Sequence, residues 1–599
     1  MKSPTPAAVP RHPLRFLAQH RLWIGAGIVF LVITNGLAQS VPLVIKHAIE
    51  AIGVAAKAAN SDPWLVMRLP LLAAALVIAQ TAARIPSRIF IFNAGREAEY
   101  ELRRSLFGHF CQLDGIFYRK YRTGDLMSRL TNDLSSVRAM FGAGVLHAVN
   151  TIFAYAIALP LMMRIDRTLT MWALLPYPIL LLGARFFARG IYGRSRLLQQ
   201  SLARMTSAVQ EDLAGIRELK SYRLEGQRSA TFSTESADYL KQANGLATWR
   251  AGMLPFVGAG AGASLVLVLW IGGLRVLDEQ LTLGDLVALN LYVGLLAWPT
   301  MAIGWMLSLF QRGIAAWHRL RELLLEASAL SAEPVEGMPT ASPAPSAMNL
   351  EVRQLNLSIG ETKVLDNISL KIEHSELLGL VGRVGSGKST LAEAVARLTA
   401  VPDGTIFWGG DDVNQLSVRA VRERISYAPQ DAFLFSASIA DNIAFGLDKS
   451  SDAKTRRAQI ALAVKAAGLE PDIAQMPDGL ETVVGERGIS LSGGQRQRVA
   501  LARALAAQRP FLILDDSLSS VDAETEREIL AGLRDVLTST TTLLISHRLS
   551  ALRHADQVVV HNDEGSVAEI GEPSELLQRN GLYAQLYRRQ LLDEIEGEH

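Results

Sequence analysis

The sequence holds one cysteine, Cys111, in 599 residues. No intrachain disulfide can form and no Cys cluster exists for a metal or redox centre, so Cys111 reads as a packing residue. A charge imbalance is also missing. Sixty Lys and Arg stand against 58 Asp and Glu, a formal net charge of +2. Nucleic-acid binders carry a dense basic excess, so no nucleic-acid partner is expected. Nor is a cleavable leader expected. Arg15 and Arg21 precede an apolar run too long for a signal h-region, and no A-x-A site closes it. Long apolar runs are what the chain does have. Hydrophobic residues make up 49% of it, and mean hydropathy is +0.19. That is high for a soluble protein and low for one lying wholly in lipid. The length exceeds what one hydrophobic core fills, so a chain part membrane and part aqueous is expected.

Apolar stretches of spanning length occur at Trp23–Ile45, Trp64–Ile85, Phe141–Met163, Leu169–Phe187, Met253–Leu277 and Leu286–Phe310. Each is long enough for ~30 Å of hydrocarbon. The loop between the second and third runs from Arg88 to Arg138, and that between the fourth and fifth from Arg194 to Arg228; both are rich in arginine. The positive-inside rule makes both cytoplasmic, together with the N-terminus that carries Arg11, Arg15 and Arg21. Arg164 and Arg167 face outward as an exception. Ala98–Cys111 and Leu197–Leu213 have helical composition, so the membrane helices are expected to run on into the cytoplasm. Turns are read at Arg122-Thr-Gly-Asp-Leu and Leu213-Ala-Gly-Ile-Arg, where the loop tips could touch a soluble partner.

Ser331–Ser346 packs Pro334, Pro339, Pro343 and Pro345 among Ala, Ser and Thr, a density no helix or central strand tolerates. The expected organisation is a six-helix membrane domain over 1–330, a linker over 331–348 and an α/β domain over 349–599. In the last, short apolar runs such as Leu377–Val381, Phe511–Leu514 and Thr542–Ile545 suit parallel strands covered on both faces by helices.

Gly382-Arg-Val-Gly-Ser-Gly-Lys-Ser-Thr390 is a phosphate-binding loop. Gly382, Gly385 and Gly387, with Ser386, let backbone N–H groups turn inward around phosphates. Lys388 supplies a point charge, Ser389 a hydroxyl for Mg²⁺, and Thr390 continues into the helix. Phe511-Leu-Ile-Leu-Asp515 is an apolar strand ending in a carboxylate, the second Mg²⁺-holding element of phosphate-loop ATPases. Leu491-Ser-Gly-Gly-Gln495 precedes a helical segment, and small residues at a helix N-terminus favour an anion.

LSGGQ between those two elements resembles the signature of ATP-binding cassette (ABC) exporters, and the resemblance covers nearly the whole chain. It implies a six-helix membrane domain followed by an α/β phosphate-loop ATPase, with ATP and Mg²⁺ as cofactors, in a bacterial cytoplasmic membrane. It also implies residue roles. Gln430 would contact Mg²⁺ and sense the γ-phosphate. Ser492, Gly493, Gly494 and Gln495 would grip the nucleotide of a partner. Asp522 would be the D-loop aspartate of the nucleotide site, and His547 would reach the γ-phosphate. Thr482–Gly488 resembles the segment that touches a partner's coupling helix. Thr123–Asp133 and Gly215–Tyr222 resemble the two coupling regions.

Two departures matter. Family members that hydrolyse ATP well carry Glu directly after the strand-end aspartate, and Asp516 stands there. Its carboxylate is one methylene short of the water it must position. The adenine-stacking aromatic is replaced by Ile359. In this family two nucleotide-binding domains meet head to tail. A weak base beside an intact LSGGQ therefore implies a heterodimer whose other half-transporter carries Glu at the position of Asp516. The expected function is ATP-driven export of hydrophobic, amphipathic, lipid-like or drug-like molecules from among the membrane lipids. A homodimeric lipid flippase and a regulatory ATP-binding subunit are the alternatives. The spans hold almost no ionisable residues, which argues against ion coupling. Trp270, Tyr292, Trp298 and Trp305 are candidates for the cargo cavity or for interface anchoring. His147 and Asn150, at helical spacing in the third span, are further candidates.

Overall fold

The computed structural model describes residues 13–57, 63–328, 330, 349–360, 362–447, 452–485, 491–521 and 523–597. The proline-rich segment 331–348 and Asp522 lie outside them. The chain forms two compact units, one of the residues up to Cys111 with Thr123–Glu326, the other of Gln112–Arg122 with Ala327 onward.

The first unit is helical. Six helices among the described residues are long and apolar enough to cross a membrane. They run far beyond the hydrocarbon. Pro63–Phe110 has 48 residues and Glu225–Leu277 has 53, and at about 1.5 Å per residue each exceeds ~70 Å. The extensions that helical composition predicts in both loops are therefore present. The third span, Val145–Ile165, is reached through two π-helical turns, Arg129–Asp133 and Met140–Gly144. Between them sits Leu134–Ala139, whose Leu134 and Val137 are buried. Asp133 is 8% exposed and receives a two-pronged guanidinium. Arg319 Nε donates to Oδ2 at 2.9 Å and Nη2 to Oδ1 at 2.5 Å.

That pairing corrects the expected first tip. Thr123–Asp133 is built into the membrane unit by Asp133, Leu126, Leu134 and Val137. The tip is instead the short helix Gly115–Lys120, one turn earlier in the chain. Asp114 caps it, its Oδ1 accepting from Ile116 N at 3.0 Å and Phe117 N at 3.2 Å. Residues 112–122 belong to the second unit, where Arg119 pairs with Glu393 at 3.6 Å. The second tip is the short helix Ile216–Ser221, within the expected Gly215–Tyr222 and inside the membrane unit. It buries none of its residues. Leu213, Ile216, Tyr222 and Leu224 around it are all exposed. Arg228, bonded to Asp212, braces the turn from below.

The second unit carries two sheets. The larger has order β10-β9-β3-β8-β7-β6, formed by β3 (Leu377–Gly382), β6 (Ile425–Ala428), β7 (Phe511–Asp515), β8 (Thr541–Ile545), β9 (Gln557–His561) and β10 (Val567–Gly571). All its neighbours pair in parallel except β9 with β10. Every residue of β3, β7 and β8 is buried, which is why these segments read as unbroken apolar runs rather than alternating ones. The smaller sheet is antiparallel, order β2-β1-β4-β5, with β1 (Leu350–Ile359), β2 (Thr362–Ile372), β4 (Ile406–Trp408) and β5 (Asp411–Asp412). Sequence reading did not anticipate it.

Candidate ATP site

Strand β3 ends at Gly382, and the chain turns through Arg383–Gly387 into the helix Lys388–Val395. Gly385 and Gly387 have φ of +88° and +83°, a region that favours glycine. Gly387 also has no room for a side chain: a Cβ there would stand 2.7 Å from Leu365 Cδ2 and 2.8 Å from the Val364 carbonyl. Lys388 is 5% exposed, and its Nζ donates to the carbonyls of Gly382 at 2.9 Å and Arg383 at 2.7 Å. Burial lowers the lysine's pKa, while the Asp516 and Asp515 carboxylates pull the other way.

The end of β7 supplies the facing acid. Asp515 Oδ1 accepts from Ser389 Oγ at 3.1 Å and Oδ2 from the Tyr427 hydroxyl at 3.2 Å. Burial raises the carboxyl above its ordinary value, against the pull of those two hydroxyls. Asp516 follows with φ +45°. Its N–H donates to the Ile545 carbonyl at 2.9 Å, and its Oδ1 accepts from the backbone N–H of His547 at 3.3 Å. So the short carboxylate is turned back onto the end of β8. The His547 imidazole is pushed below its ordinary value first by burial and then by the Lys388 charge.

A cavity of about 190 Å³ gathers these groups: Gly385, Gly387, Lys388, Ser389, Thr390, Gln430, Asp515, Asp516 and His547 all line it. Gly382 and Ser386 shape the loop behind it. Ile359 does not line it. It closes β1 opposite Thr362, and Val364 on β2 lines the cavity instead. Sequence reading missed Val364 and also His561. The latter is fully buried at the end of β9, with Nδ1 at 3.0 Å from the Ser386 carbonyl. A carbonyl only accepts, so Nδ1 carries the proton and the ring braces the loop. No motif marks that position, and only the parallel pairing of β3 with β9 brings it there.

Ser389, Asp515 and Gln430 offer oxygen donors, the set a hard divalent cation takes. Among the described residues no group of three or more His, Cys, Asp or Glu could hold a metal. A cation here would complete its shell from phosphate oxygens and water.

Ser492 caps the helix Gly493–Ala506. Its Oγ accepts from Gln495 N at 3.2 Å while Gln495 Oε1 accepts from Ser492 N at 3.0 Å. Gln495 Nε2 is held by Asp472 Oδ1 at 2.8 Å. None of Ser492, Gly493, Gly494 or Gln495 lines the Lys388 cavity.

Residues 24–300 match the family described as the ABC transporter transmembrane region, and 365–519 match ABC transporter. The chain is 32% identical, over 96% of each chain, to the multidrug resistance-like ATP-binding protein MdlA of Escherichia coli. The chain belongs to the ABC transporters. It is an exporter half of the fused type, one membrane domain joined to one ATP-binding domain. Similarity extends to a probable multidrug resistance ABC transporter ATP-binding/permease protein, YheI, of Bacillus subtilis, at 35% identity over 84% of each chain. An ATP-dependent lipid A-core flippase of Vibrio vulnificus is 32% identical over 89% of each chain. A bacterial Atm1-family ABC exporter with ATP bound shares the fold, with a TM-score of 0.77 at 24% identity, covering 95% of this chain and 99% of the other. The exporter is thus a multi-pass membrane protein that binds ATP and couples it to transport.

Proposed function

We propose that this chain is the slowly hydrolysing half of a heterodimeric exporter of amphipathic, drug-like or lipid-like molecules in a bacterial inner membrane. The observation that carries the reading is Asp516, which lines the cavity with a carboxylate one methylene shorter than glutamate and with its Oδ1 engaged by the His547 backbone N–H. In the assembled pair, Lys388 would face the β- and γ-phosphates, Ser389, Asp515 and Gln430 would hold Mg²⁺, and His547 would meet the γ-phosphate. Ser492–Gln495, remote from this chain's own cavity, would complete the partner's site. The exposed tip Ile216–Ser221 supports a second chain, since four neighbouring apolar side chains in water invite cover. The test is native purification. The tagged chain should bring down, one to one, a second half-transporter with Glu at the position of Asp516. A homodimer with full ATPase activity would overturn the proposal. It would favour a homodimeric lipid flippase, the reading that the Vibrio relative supports.

A further inference from the structure

The fourth, fifth and sixth spans line an open cavity of about 390 Å³ within the membrane unit. Its walls are apolar, with Leu180, Ile191 and Met253 among them, and Trp305 stands in one side. Its other end is polar, where Tyr192, Ser195, Ser308 and Arg312 meet. Arg312 Nη1 donates to Ser308 Oγ at 2.5 Å.

The charge around this cavity has one sign. No Asp or Glu occurs in residues 167–210, 239–277 or 286–321, the stretches of the three helices that include every lining residue. Arginine does occur there, at Arg312 in the lining itself. A cationic cargo would find no counter-charge. An anionic one would find a guanidinium, which suits carboxylate, sulfonate or phosphate through two parallel N–H donors.

Direction matters too. The sixth span enters from outside at Leu283 and leaves into the cytoplasm past Arg312. The polar end therefore lies toward the inner leaflet and the apolar end toward the midplane. An amphiphile resident in the inner leaflet already has that orientation, with its headgroup at the interface and its chain inward. The volume sits at the small end of the ~300–1,000 Å³ typical of drug-sized sites, which suits a single-chain or compact apolar body. The indole of Trp305, its centroid 5.0 Å from that of His147 in an edge-to-face contact, gives that body a flat face. His147 thus acts behind the cavity wall. Asn150 is engaged elsewhere, its Oδ1 accepting from Asn35 Nδ2 at 3.1 Å.

We infer that this cavity takes a compact or single-chain anionic amphiphile, its acid group on Arg312 and its apolar body against Trp305. The inference rests on the proposed export function and specifies its cargo. It is tested on the purified native complex in maltoside micelles without nucleotide, using energy transfer from tryptophan to dansyl-undecanoate. Dansyl-undecylamine and dansyl-labelled phosphatidylglycerol serve as the cationic and two-chain probes. The acid should bind roughly tenfold tighter than the amine, and Arg312→Gln should remove that advantage. Arg312→Lys should keep it within about threefold, and the two-chain lipid should bind more weakly than the acid. Trp305→Phe should cut the transferred signal, which locates the probe. Equal binding of acid and amine, or an unchanged acid affinity in Arg312→Gln, would refute the anionic cargo. Tighter binding of the two-chain lipid would refute the compact one. Since no ATP is present, either failure leaves the ATP-site asymmetry standing, and loss of that asymmetry leaves this result intact.

Discussion

Removing the carboxylate of Asp516 should leave ATP hydrolysis by the complex nearly unchanged, whereas damaging Ser492 should abolish most of it. The magnitude follows from the geometry. Asp516 is fixed at φ +45° with its N–H on Ile545 and its Oδ1 on the His547 N–H at 3.3 Å. A glutamate would reach one carbon–carbon bond further, about 1.5 Å. A misplacement of about 1 Å costs on the order of 100-fold in rate. This chain's own site then supplies about 1% of turnover beside a competent partner. Asp516→Asn is the cleaner probe, since Asn tolerates a positive φ as Asp does, while Ala there would add roughly 1–2 kcal/mol of backbone strain. It should change steady-state ATPase by less than about twofold. Ser492→Arg breaks the cap on Gly493–Ala506 and sets a bulky cation where the small signature residues meet the partner's nucleotide. Losing the cap costs only about 1 kcal/mol, so the fold should hold, and a melting curve checks that it does. The ATPase should fall by roughly 100-fold, to what the weak site alone delivers. Asp516→Glu should raise turnover above wild type. The assay is phosphate release by the purified pair. If Asp516→Asn were as damaging as Ser492→Arg, the two sites would be equivalent and the asymmetric scheme would be wrong.

Other outcomes follow from the same geometry. Lys388→Ala removes the lysine that lines the cavity and should weaken photo-crosslinking of an ATP analogue by roughly 10–100-fold; undiminished labelling would contradict the assignment. His547 and His561 both have pKa values lowered by burial from the ordinary 6.5. The unfolded chain therefore binds more protons than the folded one below that value, and stability is complete above pH 6.5 and lost as pH falls toward the lowered pKa values. Melting temperature should drop between pH 7.5 and 5.5, and His561→Gln should flatten the drop. Spin labels across the outer ends of the spans should move apart when ATP is trapped, and unchanged distances would exclude outward opening. Ile216→Glu at the second tip should leave basal ATP turnover in place while cargo transport into vesicles is lost; normal transport would show that the tip carries no coupling.

Much of this was legible in the residues because the chemistry is local. Gly382–Thr390 is continuous in sequence, and its backbone shape follows from its glycines. Asp515 lies 126 positions beyond Ser389, but the fully buried strand before it marks where it must end up. What stayed hidden depends on distant pairing. His561 reaches the loop only because β9 lies beside β3. Val364 enters the cavity lining from β2, across the tight β1–β2 hairpin. The first tip was placed late because Arg122-Thr-Gly-Asp looks like a turn. The cap that decides the matter is Asp114, and the tie that draws Thr123–Asp133 into the membrane unit is Arg319, 186 residues away.

The bare second tip has a consequence for the life of the chain in the cell. Leu213, Ile216, Tyr222 and Leu224 stand in water on a turn that Arg228 keeps well formed. An orphan copy therefore displays a stable greasy knob on its cytoplasmic side. That is the kind of handle a chaperone or a membrane-bound protease grips. Docking with the second chain would hide it. Unequal synthesis of the two halves would then be corrected after translation, with the surplus half cleared while paired copies persist. In pulse–chase labelling, the half-life of this chain should lengthen when its partner is supplied, and a glutamate at Ile216 should prolong the orphan's survival.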